Sequence, residues 1–277
     1  MRKLLRAGFL RLRKDKVFLI AMALMFLYGV IIPVMHYLDN TKNSVAGWTL
    51  DTTLFSYVIV MPILLAIVSA FYIGSEYSDG TMRNKIIAGH HRSHIYLANL
   101  LVSSVTAVLL GIAFFVPYIC VGMPLLGAFQ TEAAVILSHL LLNVVLGAAF
   151  SSIFTLLAML CQNKAYTVAG CILLSFLLLF FGIHIFSALN EPEYYAAYSY
   201  TENGVTVKED ECKNPNYLSG TKRKVYEFLR DFIPGGQVIQ IGNMEVEKPV
   251  RLALYDCIIL AATTGCDAVI FKHKDLK

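Results

Sequence analysis

Apolar residues gather along this chain into six long runs, at about 17–37, 54–73, 96–121, 133–159, 166–189 and 252–271. Each is long enough to cross a bilayer, because ~20 helical residues span the ~30 Å hydrocarbon layer. Helices of soluble domains average only ~12 residues. The polar stretches between runs are short, apart from 190–250. The pattern predicts an all-α membrane protein with six transmembrane helices in one domain over 1–277. An interfacial amphipathic helix is expected at 1–16, a short connecting region at 74–95, and a helical insertion at 190–250, between helices five and six.

In the first sixteen residues, Leu4, Leu5, Phe9, Leu10 and Leu12 alternate with Arg2, Lys3, Arg6, Arg11 and Arg13. That mixture fits a helix lying among lipid headgroups, apolar side down and basic side toward anionic lipid. A basic flank that only sets topology reads the same way. Signal cleavage is not expected, because the first run is long and has no small-x-small site before Tyr37.

With six crossings, the basic residues of 1–16 share a side with Arg83, Lys85, Arg92, Lys164, Lys272, Lys274 and Lys277. The positive-inside rule makes that side cytoplasmic, with both termini on it, and puts 190–250 outside the cell. Composition agrees, since only 15% of residues are charged, against ~25% in ordinary soluble domains. The net charge of +4 follows the membrane, so nucleic acid is not an expected partner.

The 74–95 connection is dense in polar groups. Ser78 or Asp79 could cap a brief helix running through Met82 and Ile86, whose apolar side could dock onto a partner. Arg83, Asn84 and Lys85 would then face polar groups of that partner. A stubby helix between two spans is a lever that moves both. A solvated loop supplying positive charge fits these residues equally well.

The 190–250 segment is too long to be a structureless loop. Val225, Phe228, Leu229 and Phe232 recur with a helical rhythm over 221–232, and Pro234, Gly235 and Gly236 end it. The polar stretch 201–211 would form its tip. Tyr194, Tyr198 and their neighbours could line an exit mouth, or form an interface belt after span five. An exposed cap that never meets cargo is the other reading.

Two patterns carry a family resemblance. One is Glu76-Tyr77-Ser78-Asp79-Gly80-Thr81 followed by Arg83. The other is Asn216-Tyr217-Leu218-Ser219-Gly220, leading through Arg223 to Leu229-Arg230-Asp231-Phe232-Ile233-Pro234-Gly235-Gly236-Gln237. In this layout they resemble permease subunits of the type-2 ABC exporter superfamily, above all its bacterial bacitracin- and lantibiotic-resistance branch. The likeness extends over nearly the whole chain.

The resemblance implies that 76–87 contains a coupling helix docking on a separate ATPase. The working unit would hold two ATPases, carrying ATP and Mg, and a second permease, identical or similar. Glu76 and Arg83 would offer one acid and one base to the ATPase, with Lys85 beside them, or else Glu76 and Arg83 would pair with each other. Asp79 would brace the helix, while Met82 and Ile86 would supply the apolar dock. Tyr194, Tyr198, Tyr217, Arg223, Asp231 and Gln237 would stand near the exit mouth.

The expected function is ATP-driven export of a hydrophobic or amphipathic compound, with antimicrobial peptides the class implied by the branch. A non-transporting sensor or immunity module is the first alternative, and a secondary transporter the second.

No Gly-x-x-x-x-Gly-Lys-Ser/Thr loop occurs, so this chain cannot cradle ATP phosphates by that device. It is not expected to be an enzyme by itself, nor to bind a cofactor or metal. His90 and His94 have the spacing of two ligands on one helix face, but no nearby carboxylate or cysteine completes a set. Inside the runs, His139, Asn143, His184 and Asp256 are the polar groups to explain. Such groups are functional or are satisfied by neighbouring helices. Asp256 could pair with Arg251, stay hydrated at the interface, or relay protons. Cys212 could bridge to Cys120 or Cys257, or stay free. Gly147, Ala148, Ala149, Ser151 and Ser152 mark a close-packing face in span four.

Overall fold

The computed structural model describes residues 1–42, 47–202 and 205–273, with side chains for all of these except 198–202, 205–209, 268, 269 and 271–273. Among the described residues six helices are long and apolar enough to cross a membrane. They are α2 (Lys16–Lys42), α3 (Tyr57–Ser78), α5 (Arg92–Leu126), α6 (Ala133–Cys161), α7 (Lys164–Leu189) and α10 (Pro249–His273). A helix satisfies every backbone group within itself, which hydrocarbon demands. This is a multi-pass membrane protein.

Shorter helices join the spans: α1 (Arg2–Lys14) before α2, α4 (Thr81–Ile87) after α3, and the pair α8 (Gly220–Phe232) and α9 (Pro234–Gly242) before α10. The all-α expectation needs one addition. Two small antiparallel ribbons precede α8, pairing β1 (Tyr194–Tyr195) with β4 (Cys212–Lys213), and β2 (Tyr198–Glu202) with β3 (Val205–Glu209). The expected polar tip therefore contains a hairpin.

Local chemistry sets several boundaries. Asp15 separates α1 from α2, and its Oδ1 accepts from Val17 N at 2.8 Å and Phe18 N at 3.2 Å, capping the new helix. Asn163 does the same for α7, accepting from Ala165 N and Tyr166 N. At the end of span two, hydropathy falls after Ile73 but the helix runs on to Ser78. The first five residues of the expected connection, 74–78, are therefore continuous with the span. Gly74 lets it pass α7, since an added Cβ would lie 3.1 Å from Lys164 Cα.

The core forms around α3, the most enclosed span. Tyr57 and Tyr118 each stack on Phe114 with centroids 5.0 Å apart. Helix α2 lies closely on α5, where a Cβ on Gly29 would meet the Phe114 carbonyl oxygen at 2.4 Å. Gly147 of α6 would meet Ala107 Cβ at 2.9 Å, so the small-residue face of span four is a helix contact within the chain. Broad apolar sides of α2, α7 and α10 remain outside the bundle.

At the opposite end from α1, α9 is wholly buried while α8 is amphipathic. A Cβ on Gly235 would fall 1.8 Å from the Leu178 carbonyl oxygen, and one on Gly182 would fall 2.2 Å from that of Gly235. The backbones of α7 and α9 therefore touch, which no side chain would permit. Pro234 begins α9 at a position where its missing N–H costs no helical bond.

Candidate functional site

At the α1 end, one carboxylate holds four helices together. Glu76 is 1% exposed. Arg11 of α1 and Lys85 of α4 both form ion pairs with its Oε1, and Asn99 Nδ2 of α5 donates to Oε2 at 3.2 Å. Arg11 also donates to the Tyr72 carbonyl oxygen and lies 3.8 Å over the Tyr72 ring. Tyr72 in turn donates to the Gly8 carbonyl at 3.1 Å. Thr81 Oγ1 donates to the Glu76 carbonyl at 3.1 Å, which ties the first residue of α4 to α3. A buried charge is tolerable only when donors replace its water, and here three side chains do so.

This geometry divides the expected coupling residues. Met82 is 1% exposed and belongs to the chain's own core, with Ile86 half-buried against it. Lys85 points inward to Glu76, while Arg83 and Asn84 are exposed. Ile87 is 73% exposed. The apolar residue that α4 presents is thus Ile87, while Met82 and Ile86 face home, because a seven-residue helix shows each direction only once or twice.

Neither Ser78 nor Asp79 caps α4. Gly80, at φ +67°, precedes it and has no side chain to offer. Ser78 Oγ instead donates to the Ser75 carbonyl and to Asp79 Oδ1, so Asp79 stays exposed beside the break. The suggested pairing of Glu76 with Arg83 is replaced by Arg11 and Lys85. Sequence reasoning passed over Arg11, Tyr72 and Asn99. An asparagine in an apolar run was a readable signal, whereas Arg11 looked like any other basic residue of α1.

At the α8 end, Asp231 is 1% exposed and paired with Arg230 at 3.1 Å and with Arg251. Gln237 Nε2 donates to the Asp231 carbonyl oxygen at 2.9 Å from the buried α9. Arg223 pairs with Glu227 at 3.2 Å and lies 5.8 Å over the Tyr217 ring. Arg223 and Asp231 line one cleft. Tyr194 stands apart from it, exposed on β1, and the Tyr198 side chain lies outside the described residues. A residue not anticipated, Asn214, ties the ribbons down through Glu191 Oε2 and the Pro192 carbonyl, both at 2.9 Å.

The polar groups within the spans have separate fates. Asn143 donates to the Tyr57 hydroxyl, and His139 Nδ1 bonds the Val135 carbonyl at 2.9 Å. His184 is exposed on α7, because Gly182, Ile185 and Leu189 form that helix's inner side. The suggested pairing of Asp256 with Arg251 is not formed, since Arg251 is engaged by Asp231. Asp256 is fully buried, with Gln237 beside it. Neither of its carboxylate oxygens has a hydrogen-bond partner among the described residues. All six cysteines are free thiols, Cys212 included.

A family model described as "ABC-2 family transporter protein" matches residues 4–182, more than half of the chain. The matched span runs from α1 into α7 and includes the whole Glu76 cluster, but stops short of the ribbons, α8 and α9. No curated protein sequence significantly matches the chain.

Proposed function

The chain belongs to the family of ABC-2 transporter proteins, and on that premise we propose that it is the permease of an exporter whose ATP is hydrolysed by a separate subunit. Two such ATPases, holding ATP and Mg, would serve two permeases, identical or similar. The basic residues of α1, α4 and the neighbouring turns support a cytoplasmic α1 end with both termini inside. The Asn216–Gly220 and Leu229–Gln237 patterns support the bacitracin- and lantibiotic-resistance branch, and with it an amphipathic peptide as cargo.

One observation carries the coupling assignment. Glu76 binds α4 to α1 and α5 while Arg83, Asn84 and Ile87 stay exposed. A helix held this way transmits a push to two spans at once. An ATPase that contacts α4 differently in its ATP-bound and ATP-free states would shift the permease between inward and outward forms. The direct contacts are assigned to Arg83, Asn84 and Ile87, with Asp79 at the edge. Glu76, Met82, Lys85 and Ile86 hold the lever in position.

Co-purification with the ATPase encoded beside it, followed by hydrolysis assays across cationic peptides, tests this. Arg83→Glu and Ile87→Asp should each cut cargo-stimulated hydrolysis by roughly tenfold, the scale of losing one interfacial charge or apolar anchor. Insertion and folding should be unchanged. If no ATPase co-purifies and export survives ATP depletion, the permease reading of this chain's role fails.

A further inference from the structure

A strongly charged cleft lies where α8 meets the start of α10, beyond the segment matched to the family. It encloses about 340 Å³. Arg223, Lys224, Arg230, Lys248 and Arg251 line it, opposed by Glu227, Asp231 and Glu247. The three arginines are taken up in ion pairs with Glu227 and Asp231. Lys224 and Lys248 are exposed, and neither has an ion-pair partner among the described residues. Five cations against three carboxylates leave the cleft with a surplus of positive charge, and two adaptable ammonium groups stand among arginines that are already oriented.

Its surroundings are those of a membrane surface. Phe228, Phe232 and Tyr255 pack edge-on or stacked, with centroids 5.4–5.8 Å apart, and close α8 onto α10. The amphipathic ring of Tyr255 is of the kind that favours the headgroup level. Along α10 from the cleft, Val250, Leu254 and Ile258 are exposed at four-residue spacing, which places them on one side of the helix. A cationic cup thus adjoins an apolar stripe at the end of a transmembrane span.

We propose that this cleft binds a lipid through a phosphate headgroup. The phosphate oxygens would accept from Lys224 and Lys248, charge-assisted bonds of the stronger kind. The acyl chains would lie along Val250, Leu254 and Ile258. A phosphomonoester lipid suits the surplus charge better than a zwitterionic one, whose own cation would oppose the arginines. The site is independent of ATPase coupling and is tested on this chain alone.

The experiment uses the purified full chain in neutral detergent and counts bound lipid by native mass spectrometry. Dioleoyl phosphatidic acid should bind roughly tenfold tighter than dioleoyl phosphatidylcholine, the scale of one to two lysines acting on an anionic headgroup. Lys224→Glu with Lys248→Glu should abolish that preference. Lys222→Glu, an exposed change outside the cleft lining, should leave it within about twofold. If the reversal fails to fold, the Lys224→Gln, Lys248→Gln pair should remove most of the preference.

Leu254→Gln with Ile258→Gln should weaken lipid binding but not binding of inorganic phosphate, followed by competition. Inorganic phosphate binding as tightly as the lipid, with no effect of that apolar pair, would overturn the lipid assignment in favour of a free anion. No preference between the two lipids, or equal losses from Lys222 and the cleft lysines, would overturn the site itself.

Discussion

At the α1 end of the bundle Glu76 is met by donors from α1, α4 and α5, whereas toward the α8 end Asp256, just as buried, has both oxygens unpartnered among the described residues. The first arrangement over-determines where four helices sit, since moving any of them strips a donor from a desolvated charge. The second is held by something else. There α9 is fixed by backbone contact with α7 at Gly182 and Gly235, and the buried Asp231 pairs with Arg230 and Arg251 beside a charged cleft. The α1 end is clamped by charge, whereas α9 is held by shape, with Asp231 tying α8 to α10 beside it. A lever suits the clamped end, and a ligand suits the end where polar groups remain to be answered.

The comparison is broken most severely by attacking the shape. Gly235→Ala drives a methyl into the Leu178 carbonyl and should cost about 3 kcal/mol, the upper range for overpacking a well-filled site. Thermal unfolding in detergent would show it, with α9 becoming accessible to a cysteine reagent placed at Gln240. Retained stability would mean that α9 is not wedged against α7.

Next comes Glu76→Gln, which leaves Arg11 and Lys85 without their counter-charge. Breaking a buried pair costs ~3–5 kcal/mol. Both cations keep some access to water, at 34% and 24% exposure, so about 2 kcal/mol is expected here. Exchanging charges at Glu76 and Arg83 together should not restore stability, because Arg83 is not a partner of Glu76. Restoration would return the pairing to Arg83 and remove the clamp.

The sharpest test has the opposite sign. Asp256→Leu removes a buried carboxyl group that has no hydrogen-bond partner among the described residues and should raise stability by about 1 kcal/mol. A loss of similar size would show that Asp256 has an answered charge, and the contrast between the two ends would vanish. The smallest effect belongs to Arg83→Glu, within about 0.5 kcal/mol on unfolding, as for other exposed sites. A larger loss would place Arg83 in the clamp instead of on the exposed side of α4.

Much of the fold could be read from residue order. The six apolar runs match six helices to within a few residues at most ends, and alternation of Leu with Arg gave α1. The helical rhythm around Phe228 gave α8. The end of span two was misjudged because hydropathy drops at Gly74 while the hydrogen-bonded helix runs on to Ser78. Hydropathy measures transfer to lipid, whereas a helix ends where its backbone bonds end. The residues expected to couple could not be sorted into buried and exposed, since Met82 and Ile87 are equally apolar and only packing separates them.

Residue order by itself determined that this chain spans a membrane six times, carries its positive charge mainly at one end, and lacks the phosphate-binding loop of an ATPase. These are properties of composition and period, and they survive any arrangement of the helices. Tertiary structure alone decided which charge meets which. Arg11 finds Glu76 across 65 residues and Arg251 finds Asp231 across 20, while Asp256 meets neither a salt-bridge partner nor a hydrogen bond of normal geometry among the described residues. Partner choice depends on how helices rotate and cross, which is set by close approaches such as Gly29 on Phe114 and Gly235 on Leu178. Such contacts join residues far apart in the chain, and no local pattern records them.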